Sequence, residues 1–245
     1  MIFFGIYGIL LLMCHLTPIT FSQLYNRFSS PIVPLDCGSK CAPYNEAGIP
    51  FCCDIRHTVP TAYQAEWEYL RANTDLWQLW KSEDSALTAE LSSETPEGQV
   101  LIACKGIEYC QRRYRSITCR SFPFFPYIDS TGEFIGLSYY WEYEDRCWVI
   151  SNLQNVSSTF IEEFIMTYDD LLANDTRDRV NYAHFSAQMR DDFAGMRRSI
   201  PLFHRNGFAY KISPRSERLR RYNAETIPRF GPYRIAAALP FPDEL

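Results

Sequence analysis

Cys37-Gly38-Ser39-Lys40-Cys41, then ten residues, then Cys52-Cys53; and later Cys104, Cys110 and Cys119-Arg120-Ser121-Phe122-Pro123. These two windows hold seven of the nine cysteines, with none in the fifty residues between them. Thiols clumped in this way point to a shared ligand site, a metal ion or an iron–sulfur cluster gripped by both windows. Cys37, Cys41, Cys52, Cys53, Cys104, Cys110 and Cys119 are the candidate metal ligands. Four thiolates complete a tetrahedral zinc site or hold a cubane cluster. Seven candidates therefore imply either two centres or sulfurs that serve another purpose. Gly38, Pro43, Gly48 and Pro50 interrupt the first window and read as loop, which wraps a metal with little regular structure to break. Lys105, Arg112, Arg113, Arg115 and Arg120 crowd the second window, and positive charge favours the thiolate, the ligating form.

The remaining cysteines and the histidines carry less weight. Cys147, beside Trp148, is either a further ligand or, the preferred reading, a buried small apolar residue, and Cys14 follows the apolar N-terminal run. His57, four residues after Cys53, is a further ligand candidate, though a packed or surface histidine is commoner. His184 and His204 fall in the helical part. No nucleophile–base arrangement, Gly-rich phosphate loop or His-Glu-x-x-His is present, so no catalytic residue is nominated.

Working outward, 245 residues suffice for one large domain. A net charge of −5 argues against a generic nucleic-acid binder, but the charge is uneven. Residues 60–103 carry eight acids against two bases, and residues 190–235 eleven bases against four acids. The basic C-terminal part either pairs with the acidic half or meets an acidic protein partner.

Ile2 to Met13 is apolar but too short to span a membrane, which takes about 20 residues. It resembles a signal-peptide core with a cleavage site at Thr20-Phe21-Ser22, yet no basic residue precedes it. A start codon placed too far upstream would look the same, so residues 1–22 are set aside. The cytoplasm is the expected compartment. A secreted chain with four disulfides, and use of the sequons at Asn155 and Asn174, is the alternative. Adjacent Cys52 and Cys53 count against it, because in an extended chain their side chains face opposite ways.

Residues 23–36 read as irregular. Thr61 and Gln64 form a capping box for a helix with Tyr63, Trp67 and Leu70 as its buried stripe. Val100 to Ala103 reads as a strand delivering Cys104. Residues 124–128 and 133–141 read as a hairpin about the turn Asp129-Ser-Thr-Gly132, its aromatics packing over the metal site. A helix follows with Phe160, Ile161, Phe164, Ile165, Tyr168, Leu171 and Leu172 on one face and Thr159 and Glu162 as a capping box. A second helix starts at Asp175, burying Val180, Tyr182, Phe185, Met189, Phe193 and Met196, and ends between Gly195 and Pro201. Short β-like pieces, Phe208–Ile212 and Tyr233–Ala237, lie in the tail.

The cysteine pattern resembles the YkgJ-like cysteine-cluster proteins, described as zinc- or iron-chelating or iron–sulfur-containing. In that family an early group of cysteines ends in a Cys-Cys pair, and spaced cysteines lead to Cys-Arg before an aromatic and a proline. Cys37, Cys41 and Cys52-Cys53 match the early group, Cys104 and Cys110 the middle pair, and Cys119-Arg120-Ser-Phe-Pro123 the closing motif. Ten residues separate Cys41 from the pair where the family is compact, and the usual Arg-Pro before the closing cysteine is missing. The likeness covers roughly residues 37–125 and implies an iron–sulfur or zinc site, with no reaction attached.

The expectation is an α+β single domain: residues 23–150 a cysteine-cluster metal-binding region with an aromatic β-hairpin, and residues 151–245 a helical, basic part packed on it. Two other functions compete with an intracellular metal protein. One is a structural-zinc interaction module, the other the secreted disulfide-bonded binding protein.

Overall fold

Alternation along one short strand sets the architecture. In the computed structural model, which describes residues 16–223 and 228–234, β4 (Phe124–Ile128) is buried at every position. Its side chains point alternately to two faces, and each face meets a different core. Phe124 and Ile128 join the larger core, with Phe160, Phe164, Tyr168 and Leu171 of helix α6 (Ser158–Asn174). Phe125 and Tyr127 join a second core, with Met189 and Phe193 of helix α7 (Thr176–Gly195). β4 is thus packed between two helices that come later in the chain.

β4 pairs with β5 (Phe134–Tyr139) as the hairpin expected from the sequence, Phe124 opposite Tyr139. The sheet then continues antiparallel through β6 (Ile200–His204), β7 (Ala209–Ile212) and β8 (Leu219–Arg221). The part after residue 150 is therefore not simply helical: three of its strands extend the hairpin. Pro201 hides β6 from a sequence reading, since proline cannot donate to a ladder. Here its carbonyl accepts from Ser138 Oγ at 2.8 Å, beside the β5–β6 register Gly136 opposite His204. Gly136 is required at that crossing, because a Cβ there would lie 2.1 Å from the Phe203 carbonyl oxygen.

A second antiparallel sheet, of three strands in the order β1 (Thr61–Tyr63), β3 (Gln99–Cys104), β2 (Trp77–Leu79), lies on the cysteine side. The strand expected over 100–103 is its centre. Helix α3 (Gln64–Asn73) follows β1. Thr61 is in the strand rather than the cap, and Glu66 caps instead, accepting from Tyr63 N at 3.3 Å. Tyr63 and Leu70 are buried as expected and Trp67 half so.

Five other expectations are corrected. The segment read as irregular contains helix α1 (Pro18–Arg27), whose Phe21, Leu24 and Tyr25 sit in the main core. Thr20-Phe21-Ser22 lies inside that helix; residues 1–15, with Cys14 and the apolar run, lie outside the described residues. The first cysteine window is not loop throughout, since it holds helix α2 (Cys37–Cys41) and two single-turn 3₁₀ helices, Ala42–Tyr44 and Phe51–Cys53. In α6 no side-chain cap forms from Thr159; the chain enters through Ser157. In α7 Val180 and Met196 are exposed, because that helix buries only a narrow stripe against the sheet. Asp175 does start it, accepting from the backbone of Arg177 and Asp178. Of the tail pieces, Phe208–Ile212 is β7 with its entry turn, whereas Gly231–Arg234 is a 3₁₀ turn and residues 235–245 lie outside the described residues. Among the described residues, no helix is long and apolar enough to cross a membrane. The whole is one mixed α+β domain.

Candidate metal centre

Each cysteine-bearing segment is positioned by polar anchors rather than by a hydrophobic stripe. The first window is tied down by Asp54, whose buried carboxylate accepts from Asn45 Nδ2 at 3.1 Å and from Arg56 at 2.6 and 3.0 Å. The Arg56 hydrogen bonds hold that carboxyl well below the usual carboxylate range. The 3₁₀ turn that Asp54 follows brings Cys52 and Cys53 to the same cavity, so the opposite facing expected of an extended pair does not apply. Cys104 ends β3 opposite Trp77, and Gly106, at φ 110°, then turns the chain towards Cys110.

Cys119 rides on helix α5 (Ile117–Ser121), capped by Ser116, whose Oγ accepts from Cys119 N at 3.2 Å. Beneath α5 lies Glu66, fully buried. It accepts from Ile117 N at 2.6 Å and from Tyr25 Oη at 2.5 Å, joining α1, α3 and α5. Burial pushes its carboxyl up to about 7, against the hydrogen bonds from Tyr25, Ile117 and Tyr63. Arg120 completes the brace. Its guanidinium donates to the carbonyls of Tyr25, Phe28, Arg113 and Arg115 and lies 4.3 Å from the Tyr25 ring centroid.

These anchors draw the two windows together. Cys52, Cys53, Cys104, Cys110 and Cys119 all line one cavity of about 510 Å³, with Arg115 and Thr118 among them. Cys37 and Cys41 do not line it. Cys41 is buried with Phe51, Tyr233 and Trp148, and Cys37 packs against the main core. They remain neighbours of the cavity group, since Cys41 feels the charge of Cys53, and Cys37 that of Arg115. Cys147, half-buried, feels Cys37 and Cys41 from the other side, and burial pushes its thiol up to about 12. All eight described cysteines are free thiols.

Of the five positive charges in the second window, Arg115 is the one hydrogen-bonded to a thiol. Its Nε lies 3.2 Å from Cys110 Sγ. Burial opposes the Arg115 charge, but the thiolates of Cys119, Cys110 and Cys53 more than offset it and raise its pKa. Lys105 is instead paired with Asp75 at 2.5 Å, Arg113 lies over the Tyr114 ring, and Arg120 is committed to carbonyls. The thiols are far from equivalent. The adjoining Cys52 thiol, against burial, pulls the Cys53 pKa down to about 7. Burial pushes Cys119 up to about 12, in spite of Arg115. Cys52 is an exposed residue that lines the cavity.

Among the described residues, no three Cys, His, Asp or Glu side chains close on one point as a bound ion requires. The donor set nevertheless has the right chemistry. Five soft sulfurs share a cavity with the guanidiniums of Arg115 and Arg146, and sulfur donors suit zinc or iron–sulfur rather than magnesium or calcium. His57 is not part of this group: its ring packs edge-on against Phe51, 4.0 Å from Asp54. His184 is exposed and His204 accepts from Asn206 N at 3.1 Å.

The aromatic shell expected from the hairpin is only partly there. Phe122, Tyr140 and Tyr143 line the cavity, while Phe124, Phe125, Tyr127 and Tyr139 serve the cores. Sequence reasoning did not single out Trp77, Glu142, Arg146 or Phe185, which also line it. Only Trp77 carried a local signal, an indole just before a polar stretch. Phe185 arrives from α7, where the helical period marks it as buried but not as facing this cavity.

The basic C-terminal residues are largely used inside the molecule. Arg190 pairs with Glu217 at 3.1 Å, Arg198 with Glu144 at 2.5 Å and Arg205 with Asp169 at 2.9 Å. The chain matches no protein-family model, no curated protein and no solved structure. The likeness to the YkgJ-like proteins therefore rests on the cysteine pattern alone.

Proposed function

We propose that this chain is an intracellular metal protein whose centre is held by thiolates of the shared cavity, drawn from Cys52, Cys53, Cys104, Cys110 and Cys119. Cys37 and Cys41 form a rear group. The single observation that carries the reading is that sulfurs fifty residues apart in sequence line one cavity around Arg115. An iron–sulfur cluster is the preferred occupant and zinc the second. A structural zinc site closes tetrahedrally on its ligands, whereas these thiols surround open volume, with a guanidinium to offset the negative charge of several thiolates. When bound, such a cluster supplies one-electron chemistry. Arg115 orients and neutralises the sulfurs, and Glu66 and Arg120 fix the helix that carries Cys119.

The test is anaerobic purification followed by metal analysis and absorption spectroscopy. Iron with absorbance near 400 nm is the expected result; stoichiometric zinc in colourless protein would move the assignment to a zinc centre. Cys53→Ala and Cys119→Ala are each expected to lower metal content. Metal content unchanged in both variants, or native protein empty of iron and zinc, would end the proposal. An acidic protein partner, if one binds, would meet the exposed basic strand β8, where Arg220 and Arg221 face solvent.

A further inference from the structure

The cavity is larger than a thiolate centre alone would fill. About 510 Å³ falls within the range of small-molecule sites, roughly 300–1,000 Å³. Its non-thiol wall is organised. Phe122 meets Tyr143 edge-on at 4.9 Å and stacks with Tyr140 at 6.1 Å, and Tyr140 meets Phe185 at 5.3 Å. These four rings form a contiguous apolar surface along one side of the space.

Two opposite charges border it. Residues 141–147 run through tight turns, with Arg146 N and Cys147 N both bonded to the Tyr143 carbonyl. Glu142 and Arg146, at either end of these turns, both line the cavity. They do not pair with each other. Among the described residues, Glu142 is exposed and forms no ion pair, while Asp192 and Glu144 add negative charge around it. The nearest acid to Arg146 is the exposed Asp145, at 3.7 Å. A carboxylate without a cation and a loosely held guanidinium, beside four aromatic rings, match a ligand with an ammonium, a carboxylate and an apolar body.

We infer that this cavity binds a free α-amino acid with an apolar side chain. Its ammonium meets Glu142, its carboxylate meets Arg146, and its side chain lies against Phe122, Tyr140, Tyr143 and Phe185. The inference goes beyond the metal reading and does not depend on it, since none of these six residues is a proposed ligand. A lone cation would find a complementary partner only in Glu142, and a lone anion only in a guanidinium; a zwitterion meets both.

The experiment is calorimetric titration of the full-length protein with L-phenylalanine, phenethylamine and 3-phenylpropionate. L-Phenylalanine is expected to bind about tenfold or more tightly than either truncated analogue, as loss of one charged contact implies. Glu142→Gln and Arg146→Gln are each expected to weaken L-phenylalanine by a similar factor, with unfolding midpoint and metal content unchanged. No binding of L-phenylalanine, equal binding of phenethylamine or 3-phenylpropionate, or indifference to both substitutions would overturn the inference. The native-protein arms need no variant to fold. Because the readout is amino-acid binding, its failure leaves the metal measurements standing, and an empty metal site leaves this result standing.

Discussion

The hairpin-and-helix half and the cysteine half of this molecule are built on different physics. Around β4, side chains are placed by alternation and helical period, and burial supplies the stabilisation. Phe124, Phe160 and Phe164 are each at most 1% exposed. Around the cysteines the elements are short, with helices of five residues, single 3₁₀ turns and three-residue strands. None of these holds itself together, because nucleating a helical turn is unfavourable. Glu66 and Arg120 do the placing through hydrogen bonds to the backbone of distant segments, and Asp54 through hydrogen bonds within its own window. A core built on burial tolerates rough chemistry, whereas a site built on polar anchors depends on single atoms.

That contrast can be broken from either side. The largest effect is expected from Phe164→Ala in the burial half, costing about 3–5 kcal/mol from lost burial and a cavity. The unfolding midpoint in urea is the measurement, and a loss under 1 kcal/mol would show that the core does not depend on this ring.

Next comes Glu66, whose effect depends on pH. Its pKa is raised in the fold, from 4.5 to about 7. The stability contributed by its protonated form is therefore fully present below pH 4.5 and is lost as pH rises towards 7. The whole swing is on the order of 3 kcal/mol. Glu66→Gln cannot ionise, so native protein should lose stability relative to the variant between about pH 4.5 and 7. Parallel profiles would remove Glu66 as the titrating brace. Asp178, raised by burial to about 6, should add a smaller loss of the same sign between about pH 4 and 6.

Arg120→Lys is expected to cost about 1.5–3 kcal/mol, because an ammonium cannot serve the four carbonyls that the guanidinium bridges. Metal content should fall with it, since Cys119 is adjacent. An unchanged unfolding midpoint would sever Arg120 from the brace. Smallest is Arg115→Gln, which sits over the thiols and hardly touches the core. It should slow alkylation of Cys53 at pH 7 several-fold by removing the positive charge that helps to lower its pKa; an unchanged rate would discount that charge.

Much of the burial half was legible in the sequence because its information is local. The seven-residue stripe from Phe160 to Leu172 is buried throughout, and the Asp129–Gly132 turn predicts its hairpin. Strand β6 was not, since Pro201 reads as a terminator and only pairing with β5 and β7 makes Ile200–His204 a strand. In the cysteine half the residue types were legible but not their grouping. Nothing in the spacing separates Cys37 and Cys41 from the five thiols that line the cavity, nor marks Arg115 among its basic neighbours. Helix α1 was overlooked because Phe21, Leu24 and Tyr25 straddle the end of a stretch that resembles a removable leader.

By itself the sequence determined the α+β class, the hairpin, the two long helices and which side chains carry soft-ligand chemistry, because period and residue type act over a few neighbours. Tertiary structure alone decided which sulfurs meet, which guanidinium stands over them, and that Glu142, Arg146 and Phe185 border the same cavity. Those relations join residues separated by tens of positions, and they exist only once a buried carboxylate and a saturated guanidinium have fixed the short elements that carry them.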